Sequence, residues 1–113
     1  MSTKFTFLVY APDYTDAEAP QRRLAVRPKH LEGARQLVAE GVIRVGGAML
    51  SPESIQPGAE KKMVGSTMIY EAESLEAVKK IVEEDPYYVG NVWDKEKLVI
   101  LPYAAATPLP GPA

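Results

Sequence analysis

The chain has 113 residues, 46% of them hydrophobic and 25% charged, with a formal net charge of −2. That is enough for a single domain with one core and an ordinary globular composition, and the mild acidity excludes a global field that would draw in nucleic acid or an anionic membrane. With no cysteine there is no disulfide, thiolate ligand or cysteine nucleophile, and with one histidine only carboxylates could complete a zinc site, so no metal site is expected.

The opening MSTKFTFLVYAPDY has too short an apolar run for the core of a signal peptide. No stretch approaches the ~20 apolar residues of a membrane span, so a cytoplasmic protein without a membrane partner is expected. FTFLVYA (5–11), rich in aromatic and β-branched residues and closed by Pro12-Asp13, predicts a first strand. From Thr15 to Glu40 the pattern is helical: Asp16, Glu18 and Pro20 suit a helix start, and Leu31, Ala34, Leu37 and Val38 recur at helical spacing. Gly41 is the expected stop, and Pro28, lacking a backbone donor, predicts a kink or a fresh helix start.

VIRVGGAML (42–50) predicts a second strand, with a bulge or close backbone approach at Gly46-Gly47. Residues 51–62 form a polar loop, and MVGSTMIYEAE (63–73) a third strand. Ser74 caps a second helix, LEAVKKIVEED, with Glu76 in its first turn, and Asp85-Pro86 ends it. VWDKEKLVILPY (92–103) predicts the fourth strand. Residues 1–103 then form the domain, and the proline-rich tail 104–113 is expected to be loosely ordered.

The order β-α-β-β-α-β is the ferredoxin-like, split βαβ arrangement of an α+β fold. Two helices on one face of a four-stranded sheet leave the other face open. Phe5, Phe7, Val9, Ile69 or their alternates should make that face apolar, and a second copy packed sheet to sheet is the simplest cover. A homodimer is expected on that ground.

Four stretches together, FLVYAPD, RLAVRPKHL, VGSTMIYEAESLEA and EEDPYYVGNVWDKEKLVILPY, span about residues 4–103. In this order and spacing the chain resembles the YciI-like (YCII-related) family. The resemblance implies a ferredoxin-like protomer of a dimeric α+β barrel, with a cleft holding a histidine and an aspartate. It also implies chemistry of the kind its best-understood relatives perform: elimination by proton transfer on small ring compounds, without a cofactor. Carried onto this sequence, the histidine of RPKHL is His30, the aspartate of DPY is Asp85, the serine of the GS pair is Ser66 and the family arginine is Arg23. The YYVGNVWD stretch after DPY and the long tail depart from the family pattern.

The residues themselves admit the same chemistry. On a continuous helix Arg23, Arg27, His30 and Ala34 fall at i, i+4, i+7 and i+11, on one stripe. A histidine both takes and gives a proton near neutral pH, and a carboxylate such as Asp85 would orient it. Arg23 and Arg27 would hold an anionic substrate, Ser66 would supply a hydrogen bond, and Tyr10, Tyr87 and Trp93 would wall the pocket.

Each residue also has a plain structural explanation: His30 as a helix residue packed on Leu31 or Tyr87, Asp85 as a helix stop, Arg27 as a surface ion-pair partner. The leading expectation is a cofactor-independent lyase or isomerase on a small cyclic or aromatic, partly anionic compound. The alternatives are a non-catalytic ligand-binding or accessory dimer, and a structural dimerisation module whose cleft is filled.

Overall fold

The structure is a computed structural model that describes residues 3–110. Strand β1 (Phe5–Pro12) leads to helix α1 (Ala19–Ala39), strand β2 (Ile43–Leu50) and, after a 3₁₀ turn at Pro52–Ile55, strand β3 (Met63–Ala72). Helix α2 (Leu75–Glu84), a short helix α3 (Pro86–Val89) and strand β4 (Val99–Pro102) complete the chain. The sheet order is β2-β3-β1-β4 with every neighbour antiparallel, which is the ferredoxin-like α+β protomer.

Alternation along the two central strands separates the faces. Phe7, Val9 and Ala11 stand opposite Tyr70, Met68 and Ser66, and this set faces the helices. It packs on Val78 and Val82 of α2, Tyr87 of α3, and Val92 and Trp93 beyond, all essentially removed from solvent. Each such valine or aromatic side chain contributes about 1.5–3 kcal/mol when fully buried. Phe7 and Val9 therefore belong to the helix side and Phe5 is an exposed end residue; the open face carries their alternates Leu8 and Tyr10. Ile69 lies there as expected, with Val45, Val99 and Leu101 paired beside it.

Four local expectations change. The first helix starts at Ala19 rather than Thr15, because the Asp16 carboxylate accepts from the Glu18 amide (3.2 Å) and from both terminal nitrogens of Arg22 (2.7 and 2.8 Å), holding the preceding residues as a turn. Helix α1 runs unbroken through Pro28, so no new helix starts there. The missing N–H leaves the Leu24 carbonyl without its helical donor, on a turn exposed to water. The register of β2 breaks at Arg44 and again between Met49 and Leu50, while Gly46 and Gly47 keep regular pairing with Met68 and Thr67.

The fourth strand is much shorter than 92–103. Trp93 forms only a single bridge with Asp13, and Asp94 then closes a turn, its carbonyl accepting from the Lys97 and Leu98 amides (both 3.0 Å). The polar run Asp-Lys-Glu-Lys has no alternation to hold it in a sheet. The tail is irregular from residue 104 to 110, yet the Pro110 carbonyl accepts from Arg44 Nη2 at 2.7 Å, so residues 104–110 span from the β4 edge to the β2 edge. Residues 111–113 of the tail lie outside the described residues.

Candidate active site

A cleft of about 540 Å³ opens between α1 and the β2–β3 side of the sheet. Along α1 it is lined by Arg23, Arg27, His30, Leu31, Ala34 and Arg35, a stripe set by the helical repeat. The sheet contributes Ile43, Gly46, Ala48, Met68, Ser66 and Tyr70, residues of the helix-facing register, and Tyr87 of α3 closes one end. The interior is therefore apolar on the sheet side and cationic along the helix.

His30 and Asp85, fifty-five positions apart, are brought into contact: Nδ1 lies 2.8 and 2.9 Å from the two carboxylate oxygens. Asp85 is placed by its local role. It ends α2 in an extended conformation before Pro86 and begins α3, its Oδ1 accepting from the Tyr87 amide at 2.8 Å. The helix stop and the histidine's partner are thus one carboxylate. Against an ionised Asp85 the neutral imidazole carries its proton on Nδ1, leaving the Nε2 lone pair; among the described residues nothing is hydrogen-bonded to Nε2.

The ring is fixed in other directions too. It stacks on Tyr87 with centroids 3.8 Å apart and planes 17° apart, and meets Trp93 edge-on at 6.1 Å. Tyr87 in turn carries the Arg23 guanidinium 4.5 Å from its ring centre. Burial raises the Tyr87 phenol above its ordinary value, with Arg23 and Arg27 offsetting part of the rise. Burial and then the nearby Asp85 charge hold the Tyr70 phenol well above its ordinary value. Both hydroxyls stay protonated at neutral pH and are hydrogen-bond donors.

Several residues named from the sequence sit elsewhere than expected. Arg23 lines the cleft, but its Nη1 binds both oxygens of Asp13 (2.9 and 3.0 Å) and its Nη2 donates to Ser66 Oγ (3.1 Å). Its charge is taken up by a buried carboxylate that burial itself pushes above the usual range, so it is a structural clamp rather than a free anion contact. Ser66 also accepts from Trp93 Nε1 (3.2 Å); with two donors on its oxygen, only its own O–H remains for a ligand.

Trp93 is fully buried behind Ser66 and does not line the cleft. Tyr10 stands on the opposite, open face, because strand alternation sends it away from Val9 and Ala11. Arg27 lines the cleft and makes no ion pair among the described residues, contrary to its surface-pair explanation.

Three contributors are absent from the sequence-based set. Arg35 has a sequence signal, since it continues the Arg27–Leu31 stripe by four. Tyr70 and Asp13 required the β1–β3 register and the tertiary pairing with Arg23. Beside Ser66, Gly65 is required by the close approach of β1: a Cβ there would sit 2.8 Å from the Ala11 carbonyl oxygen.

Residues 5–99 match the model of the YCII-related domain. The chain belongs to the YCII-related family. It is 39% identical over 88 residues to protein YciI of Escherichia coli O6:H1, covering 78% of this chain and 87% of that protein. It is 35% identical over 97 residues to fusaric acid biosynthesis protein 2 of Gibberella fujikuroi, covering 86% of this chain and 90% of that one. Among solved structures it is similar to 5-chloro-2-hydroxyhydroquinone dehydrochlorinase from Burkholderia phenoliruptrix, in complex with 2,5-dihydroxybenzoquinone. That likeness has a TM-score of 0.71 and 27% identity, and covers 88% of this chain and 93% of the other.

Proposed function

We propose that this protein is an acid/base enzyme, a lyase or isomerase, acting on a small cyclic or aromatic, partly anionic compound bound in the α1 cleft. The observation that carries the reading is the His30–Asp85 pair: the carboxylate holds Nδ1, and Nε2 of this cleft-lining histidine has no hydrogen-bond partner among the described residues. Nε2 takes a proton from a substrate carbon or hydroxyl beside a carbonyl or phenol, and the imidazolium formed is stabilised by Asp85. The electron pair released either expels a leaving group from the neighbouring position or is reprotonated elsewhere on the ring. Tyr70, Tyr87 and Ser66 line the cleft with hydroxyl donors for the oxygen on which charge develops.

A dehydrochlorinase with a bound quinone among the similar structures, and a biosynthesis protein among the relatives, support a small ring compound as substrate. This step needs only side chains of this chain. We propose further that the open face, with Leu8, Tyr10, Val45 and Leu101 partly or largely exposed, is covered by a second copy. The open cleft counts against a purely structural dimerisation module.

The test is a screen of hydroxylated and halogenated cyclic compounds for turnover and for exchange of substrate hydrogen with solvent deuterium. His30→Gln is expected to lower turnover by about 10²–10⁴-fold. Asp85→Asn keeps a capping side chain and is expected to lose about 10–100-fold. Binding of the same compounds by wild type and His30→Gln alike, with no turnover or exchange in either, would make this a ligand-binding protein instead. Sedimentation of wild type and of Leu8→Asp/Leu101→Asp tests the dimer; a wild-type monomer sinks it.

A further inference from the structure

The reading of the cleft as a ligand site leaves open what the ligand carries besides a ring, and the charges along α1 answer that. The cleft lining contains Arg23, Arg27, Arg35 and His30 and no carboxylate. Arg23 is neutralised by Asp13, and His30 is engaged by Asp85. Arg27 and Arg35 take part in no ion pair among the described residues, and in none of their side-chain hydrogen bonds. Helix positions three and four away from Arg27 (Arg23, Leu24, His30, Leu31) hold no acid that could quench it. Glu32 lies three before Arg35 and does not pair with it.

Arg27 and Arg35 are eight residues apart on one face, about 12 Å along the helix axis, with His30 between them in height. Both are exposed and also border a second depression with Leu24, Pro28 and Leu31, which puts them at the mouth of the cleft rather than in its depth. The Arg27 charge nevertheless reaches inward far enough to be felt at the Tyr87 phenol. Beyond the mouth, Ala34, Val38, Ile43 and Met68 form an apolar wall suited to a ring and unsuited to a second charge.

We propose that the cleft takes a ring acid, a small cyclic or aromatic molecule whose ring lies in the apolar interior beside His30 and whose carboxylate stays at the mouth between Arg27 and Arg35. This rests on the reading of the cleft as a ligand site and adds its specificity. Two unquenched cations over a low-dielectric groove focus positive potential on the entrance, favouring an anionic group over its neutral counterpart. Guanidinium groups also present forked donors that match a carboxylate.

The experiment compares gentisate with hydroquinone, which differ by one carboxylate, by calorimetry and by the shifts of the single histidine's ring signals. Wild-type protein is expected to bind gentisate about tenfold or more tightly than hydroquinone, with the ratio falling as salt rises. In Arg27→Gln/Arg35→Gln the ratio is expected to fall toward one, whereas Lys79→Gln, which removes a cation from α2, keeps it. Equal or tighter binding of hydroquinone by the wild type overturns the ring-acid proposal and leaves the ligand site standing. No binding of either compound, with unmoved histidine signals, overturns both.

Discussion

Helix α2 has ten residues and buries Val78 and Val82 completely, whereas α1 has twenty-one and buries only Ala19 and Arg23. Both lie on the same face of one sheet. The short helix has an apolar stripe of Leu75, Val78, Ile81 and Val82, so it seats directly on the strands. On α1 the positions facing the sheet mix Arg23, Arg27, His30 and Arg35 with Leu31, Ala34 and Val38, and across from them β2 supplies Gly46, Gly47 and Ala48. With small residues on the strands and polar side chains along much of the helix, the space between them is left as a cleft. One half of the layer is a core, and the other is a cleft kept open by the same architecture.

If that division holds, substitutions on the two sides will separate stability from binding. Arg23→Met, which strands Asp13 as a buried unpaired carboxylate, is expected to destabilise by about 3–5 kcal/mol in urea unfolding. Adding Asp13→Leu should restore most of that loss; a double variant no better than the single would show that Arg23 acts by packing alone. On the α2 side, Val82→Ala removes two methyl groups from a sealed core and is expected to lower stability by about 2 kcal/mol.

The mirror experiment adds volume on the α1 side. Ala34→Leu projects into open space and is expected to change stability by less than about 1 kcal/mol while weakening ring ligands about tenfold or more. A loss of stability as large as that of Val82→Ala would mean that the cleft closes in solution.

The smallest effect concerns the entry to α1. Arg22, chiefly by its hydrogen bonds, holds the exposed Asp16 carboxyl down to about 2. A folded value below the unfolded one stabilises above about pH 4, and that contribution disappears as the pH falls toward 2. The difference in thermal unfolding between wild type and Asp16→Asn should therefore be present at neutral pH and shrink through that window. A difference that persists at pH 2 would assign it to the turn itself.

How much of this was legible in the sequence differs from element to element. β1, β2, β3 and α2 follow from alternation, the helical repeat and the Ser74 and Asp85-Pro86 signals, because burial on one face imposes those periods directly. Residues 92–98 read as strand in the sequence because Val-Trp at one end and Leu-Val-Ile at the other frame a polar turn that only pairing to Asp13 and the Asp94 bonds reveal. Within the site, the stripe placed His30, Arg27 and, one step further, Arg35 on one helix face. Nothing local says that Tyr10 faces away from the cleft or that Arg23 is neutralised, since both depend on which strand face meets the helices.

The sequence by itself determined the order of elements, the α+β class and the residue types available for proton transfer, since periodicity, capping and turn chemistry act over a few neighbours. Only the tertiary structure decided which of those residues work together. It set His30 against Asp85 across fifty-five positions, neutralised Arg23 with Asp13, and left Arg27 and Arg35 at the cleft without an ion-pair partner among the described residues. The physical reason is that a charge or a lone pair has no role until its distance to a partner is fixed, and packing α1 and α3 over a twisted sheet fixes it.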